Sequence, residues 1–193
     1  MSFSLSYAVD RWMNGFKGRW CIADGWAIDL FLEKETRVHS DIEVMVFRDD
    51  QKLLEKHFSD WHISKVEDGK LVTWKGEYLK KPTHELHATH KTTEWKIEML
   101  LNEEDEENWV FRREKRIRKP LAEIVHLSRS GLPYLSLEVV LLYKAKSVNK
   151  KDIHDFNKAV CAVSHTQRAW LQDALYVHLP KHTWLEQLER CND

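Results

Sequence analysis

Asp41 and Glu43 stand one residue apart in the segment DIEVMVF, where Ile42, Val44 and Val46 alternate with Asp41, Glu43, Met45 and Phe47. A period of two marks a strand whose faces meet different surroundings, so both carboxylates project from one face, about 6–7 Å apart at the backbone. At that spacing they repel one another unless a cation lies between them. An all-oxygen set with no cysteine suits Mg2+ or Mn2+, which commonly sit between protein carboxylates and substrate phosphates. Two such ions about 3.5–4 Å apart clamp the attacking and leaving oxygens of an in-line phosphoryl displacement.

A third carboxylate comes from EWKIEMLL, residues 94–101, where Trp95, Ile97 and Met99 share one strand face and Glu94, Lys96 and Glu98 the other. Upstream, Asp24-Gly25 separates a short strand, Trp20 to Ala23, from a helix, Trp26 to Leu32, packed by one face through Trp26, Ala27, Leu30 and Phe31. A glycine between strand and helix lets backbone N–H groups approach a phosphate, and the helix N-terminus adds partial positive charge. A strand, a glycine turn, a helix and a carboxylate strand together make a phosphate-plus-metal site.

The elements that must hold these residues fall into two groups. Leu5 to Phe16 has the apolar spacing of an amphipathic helix, and Glu33 to Ser40 is a polar loop. Gln51 to Phe58 is a helix, and the residues flanking Asp68-Gly69 alternate as in a hairpin. NEEDEEN, residues 102–108, reads as a solvated loop, and the segment from Trp109 to Leu127 as two short strands and a connection. Beyond Gly131 the pattern turns helical, with four helices between Ser136 and Glu189. Sheet first and helices afterwards predicts an α+β fold, with a mixed sheet and flanking helices in residues 1–131 and a helical bundle in 132–193.

The 193 residues are 42% hydrophobic and 32% charged with only 6 Gly and 4 Pro, which excludes a disordered chain. A net charge of −1 supplies no basic field for nucleic acid. Cys21, Cys161 and Cys191 are odd in number and unpaired by spacing, as in a reducing compartment. No basic n-region precedes an apolar block, and no apolar run approaches the roughly 20 residues of a membrane span. The expected setting is cytoplasmic, with no membrane and no nucleic-acid partner.

The run DGWAIDLFLEKETRVHSDIEV resembles the signature of nucleotidyltransferase-fold proteins related to DNA polymerase β, in the form seen in the aminoglycoside 2''-adenylyltransferase-related bacterial branch. The shared pattern is a glycine turn followed by W-A-h-D, then T-R-x-H, then D-h-[DE]-h. WKIEMLLNE, WVFRR, GLPYLSLEVVLLYKAK and KDIHDF are similar to later segments of that branch. The resemblance implies transfer of a nucleoside monophosphate, AMP from ATP, to a hydroxyl of a small molecule such as an aminoglycoside-like antibiotic, with release of pyrophosphate. It implies that Asp41 and Glu43 ligate Mg2+ or Mn2+ and that Gly25 and Trp26 lie at the nucleotide. It further implies that Arg37 and His39 contact phosphate or the carboxylates. Glu98 becomes the third carboxylate, as metal ligand or as general base, with Glu94 as its competitor. One departure stands out: the family has a small residue before Gly25 and this chain has Asp24, whose charge repels a triphosphate. The alternative reading is therefore an impaired module that binds nucleotide or a protein partner.

Other features have simpler readings. Lys144, with Tyr143 beside it to stack on a base, is placed to reach the β- and γ-phosphates across a cleft. Asp29 is expected to face solvent or cap a neighbour rather than ligate metal. Glu94, Glu103 and Glu104 are candidates for an acidic acceptor pocket. His84, His87 and His90 do not have the spacing of a zinc motif and read as surface residues on a helix or loop.

Overall fold

The computed structural model describes residues 3–147 and 149–190; Cys191 lies outside the described residues. The chain opens with α1 (Ser4–Met13), which buries Ala8, Val9 and Met13. Strand β1 (Trp20–Ile22) leads into α2 (Asp24–Leu32), followed by β2 (Glu43–Phe47) and α3 (Gln51–His57). A run of strands comes next: β3 (Trp61–Glu67), β4 (Lys70–Thr73), β5 (Glu85–His90) and β6 (Lys96–Asp105). Four short strands follow, β7 (Asn108–Val110), β8 (Arg118–Pro120), β9 (Val125–Leu127) and β10 (Pro133–Leu135). The helices α4 (Leu137–Lys144), α5 (Lys150–Ala159), α6 (His165–His178) and α7 (Trp184–Arg190) complete the fold.

The main sheet runs β4-β3-β5-β6-β2-β1-β10-β9, with β7 paired to the far end of β6 and β8 paired to β7. Its β2–β6 and β1–β10 pairs are parallel and the others antiparallel, so the sheet is mixed and the class α+β. Register sets the site. Glu43 lies opposite Glu98 on β6, and Glu98 opposite His87 on β5, so one row crossing three strands carries three titratable side chains on one face. The other face, through Ile42, Val44, Val46, Ile97, Met99 and Leu101, is buried.

Four expectations need correction. Helix α2 is buried from Gly25 through Leu30 rather than along one stripe, because β2 and β10 pack against it from one side and α4 and α5 from the other. The acidic run is not a loop: β6 continues to Asp105, and only Glu106 and Glu107 form the turn into β7. Arg19 and Arg118 partner Glu104 and Asp105, which lets a strand carry that much negative charge. HELHATH is strand β5 apart from its first residue, not a helix or loop, held between β3 and β6 with Leu86 and Ala88 turned to the core. The segment from Trp109 to Leu127 contributes three strands rather than two. Among the described residues, no helix is long and apolar enough to cross a membrane.

Candidate active site

The polar loop delivers the chain to β2 so that Asp41 sits exposed just ahead of the strand and Glu43 is its first residue. Asp41 is fixed through its backbone, whose carbonyl accepts a hydrogen bond from Trp26 Nε1 at 2.9 Å. Glu98, third residue of β6, faces the same neighbourhood, while Glu94 stays outside the strand in the preceding turn, with φ +57°. Burial and the charges of Asp24, Asp41 and Glu98 push the Glu43 carboxyl well above the usual carboxylate range, and Lys144 offsets this only in part. Glu98 is also raised, by burial and by Asp41, Glu85 and Asp24, with His87 opposing the shift. Asp24, Asp41 and Glu98 lie near enough for their charges to burden Glu43, a repulsion that a hard divalent cation would relieve, but among the described residues Asp41 and Glu43 do not bring ligand atoms together with Glu98 into one closed group. His87 adds nitrogen donors beside them: its Nε2 lies 2.6 Å from Glu85 and its Nδ1 3.4 Å from Glu98. One ligand atom from each of Glu85, His87 and Glu98 falls within 4.8 Å of the others.

Arg37 and His39 lie over the first turn of α2. His39 stacks on Trp26 at 4.5 Å between ring centres and reaches Asp29 with Nε2 at 2.7 Å. Asp29, expected to face solvent or cap a neighbour, is fully buried and takes the second course: it also accepts from the Thr36 backbone at 3.0 Å and its hydroxyl at 2.6 Å. The loop needs that buried acceptor to fold back onto the helix. A Cβ on Gly25 would meet His39 Cε1 at 2.6 Å and the Arg37 guanidinium closer still. The space over this glycine is therefore occupied by the two loop side chains.

Lys144, the last residue of α4, is 4% exposed and lies 2.8 Å from Asp24, 2.9 Å from Asp155 and 3.5 Å from Asp152. Burial alone would lower its pKa, but Asp24 and Asp155 raise it, so the ammonium is held charged. Asp155 in turn accepts from Arg37 Nε at 2.9 Å and Nη2 at 3.0 Å, a bidentate pair. The negative charge of Asp24 is thus met by Lys144, with Arg37 3.9 Å away. Asp24 opens the helix at φ +51°, a backbone conformation that glycine adopts without strain. Tyr143 packs edge-on to Phe111 and Trp109 and donates its hydroxyl to Asn102 at 3.0 Å. Glu103, considered for an acceptor pocket, is instead paired with Arg48 at 2.8 Å and Lys81 at 3.4 Å.

Sequence reasoning did not single out Asp155 or Glu85, and it set His87 aside as a surface residue. KDIHDF carried the signal for Asp155, but no sequence spacing joins it to Arg37, 118 residues away. His87 and Glu85 became legible only once β5 was known to be a strand next to β6.

A model of the aminoglycoside-2''-adenylyltransferase family matches residues 7–158. The chain belongs to that family. Solved structures of family-like fold agree over most of its length. The solution structure of the antibiotic-resistance factor ANT(2'')-Ia superimposes with a TM-score of 0.62 at 13% identity, covering 98% of this chain and 99% of that one. The crystal structure of ANT(2'')-Ia in complex with adenylyl-2''-tobramycin gives 0.59 at 14% identity, over 89% and 95% of the two chains. The lincomycin-bound lincosamide antibiotic adenylyltransferase LnuA gives 0.55 at 16% identity, over 82% and 95%. No curated protein matches the chain by sequence.

Proposed function

We propose that this member of the aminoglycoside-2''-adenylyltransferase family transfers AMP from ATP to a hydroxyl of a small antibiotic-like molecule and releases pyrophosphate. The observation that carries the reading is the row formed by Glu43 and Glu98 with Asp41 beside it, on a sheet face where burial and mutual repulsion hold Glu43 unusually basic. In this reading Asp41, Glu43 and Glu98 hold Mg2+ or Mn2+, which when bound supplies Lewis-acid stabilisation of charge on the transferred phosphate. Glu98 accepts the proton of the acceptor hydroxyl; its raised pKa suits a base, and His87 orients it. Arg37 and His39 brace the helix turn beneath the nucleotide, and the helices of residues 132–193 pack over residues 1–131 as a second part, while β10 of that segment belongs to the sheet.

The acceptor would enter a hollow of about 610 Å³ whose walls include Asp41, Glu98, Glu94, Trp95 and Leu71. Carboxylates beside exposed apolar surface suit a hydroxylated molecule that carries ammonium groups, and the similar solved structures hold adenylyl-2''-tobramycin and lincomycin. The non-catalytic alternative rested on Asp24 repelling triphosphate, and the 2.8 Å pairing with Lys144 weakens that ground.

The test is pyrophosphate release from ATP and Mg2+ with a panel of aminoglycosides and lincosamides, run with wild type, Asp41→Asn and Glu43→Gln. Turnover with at least one acceptor, lost in both variants while the thermal midpoint holds, supports the reading. Turnover that survives both substitutions would remove the carboxylate row from the mechanism.

A further inference from the structure

The sheet face that carries the carboxylate row continues into a second cavity. One residue pair further along β2 and β6 from Glu43 and Glu98 lie Met45 and Leu100, opposite each other. Both line a partly open space of about 200 Å³ capped by Tyr143 and Lys144 of α4 and walled by Arg112 and Arg113, which follow β7; Asp24 and Asp152 also line it, and Lys144 meets their charge. A whole drug-sized ligand fills about 300–1,000 Å³, so this space suits a fragment of a nucleotide rather than all of it.

Its charge is unusual for this molecule. The cations Arg37, Arg48, Lys119 and Lys144 are each set against a carboxylate within 3.1 Å. Arg112 and Arg113 form no ion pair among the described residues, although both are half-buried. Arg113 Nη1 donates to the Tyr143 carbonyl at 3.0 Å, and the two guanidinium carbons stand 5.3 and 5.6 Å from the Tyr143 ring centre. Burial and the neighbouring charge of Arg112 lower the pKa of Arg113, and burial together with both arginines lowers that of His84 on the same wall. Two adjacent guanidinium groups, partly desolvated and unneutralised, repel one another until an anion joins them. Guanidinium forks match phosphate oxygens in pairs.

We infer that Arg112 and Arg113 seat the β- and γ-phosphates of the donor nucleotide and, after transfer, the pyrophosphate. The inference rests on the nucleotidyl-transfer reading and adds the residues that take the leaving group. Lys144 does not take this role, because Asp24, Asp152 and Asp155 already hold its ammonium. The arrangement along the strands fits the bond changes. The acceptor hollow adjoins Asp41 and Glu98 at the start of β2 and β6, and the arginine cavity lies further along the same strands. The acceptor oxygen forms its bond to the α-phosphorus as its proton passes to Glu98. The bond from the α-phosphorus to the bridging oxygen breaks, and its electron pair leaves with pyrophosphate toward the arginines.

Calorimetric titration with Mg2+-pyrophosphate, Mg2+-ATP and AMP tests this on wild type, the R112Q/R113Q double variant and R112K. The double variant is expected to bind pyrophosphate and ATP at least about 10- to 100-fold more weakly, the loss for one charge-assisted hydrogen-bonding group, while AMP binding is unchanged. R112K, which keeps charge but not the fork, is expected to weaken pyrophosphate several-fold, and it reads the same question should the double variant fail to fold. Equal pyrophosphate affinity in wild type and variants overturns the inference and leaves nucleotidyl transfer standing. Wild type that binds neither ATP nor pyrophosphate overturns both.

Discussion

Lys144 Nζ lies 2.8 Å from Asp24 Oδ1, joining the end of α4 to the first residue of α2 across 120 residues of sequence. The same ammonium touches Asp155, and Asp155 holds Arg37 bidentate, so a chain of alternating charge runs from the helix turn through α4 and α5 to the loop that feeds Asp41. The carboxylate strand and the helical part of the molecule are thereby positioned by one network. Its members are mutually compensated, which makes removal of any one of them costly.

Lys144→Met should therefore destabilise the protein by about 3–5 kcal/mol, the range for breaking a buried ion pair from one side. Asp24, Asp152 and Asp155 would be left near one another without their shared cation. Urea denaturation at neutral pH measures this, and Lys144→Met combined with Asp24→Asn should recover part of the loss. Equal stability of wild type and Lys144→Met would mean that the ammonium is not engaged as described.

Acid should weaken the same network. Burial raises the pKa of Asp155, but the hydrogen bond from Arg37 and the charge of Lys144 outweigh it and hold the group below 3.8. A depressed folded-state pKa means that the unfolded chain binds the proton first as pH falls, so the stabilisation is complete above about 3.8 and disappears as pH drops through the folded value. The penalty of Asp155→Asn, read as the stability difference from wild type, should be largest near neutrality and shrink as pH falls below 3.8 through the folded value. A penalty independent of pH would show that Asp155 contributes by shape rather than by charge.

How much of this was visible in the sequence depended on range. Asp41 and Glu43 were legible because a strand's two-residue period is written locally, and Gly25 because a strand, a turn and a helix fall within a dozen residues. Strand β5 was not, since only Leu86 and Ala88 face the core and its other positions are polar residues that look like loop. Strand β10 has three residues, too few for an alternation to register. The ion network was invisible for a different reason: Lys144, Asp24, Asp155 and Arg37 come from four separate elements, and only the packing of α4 and α5 on α2 brings them together. Arg112 and Arg113 sit in the basic run FRREKR, where surface lysine and arginine disguise two half-buried cations.

Gly25 offers the most local test of the site. Its α-carbon faces Arg37 and His39 so closely that an added methyl group would stand 2.6 Å from His39 Cε1 and nearer to the guanidinium, well inside contact distance. Relief requires Arg37 to swing from Asp155 and His39 to leave Asp29 and the Trp26 ring, since the backbone of α2 is packed between sheet and helices. Gly25→Ala should lose about 1–3 kcal/mol of stability from overpacking, partly countered by the better helix propensity of alanine. Because the displaced side chains brace the turn at the nucleotide, the KM for ATP should rise more than the KM for the acceptor. Arg37→Ala should remove the guanidinium part of the clash and leave that with His39, so the double variant is expected to be less destabilised than the sum of the two single changes. Additive losses would mean that Arg37 does not fill the space over Gly25.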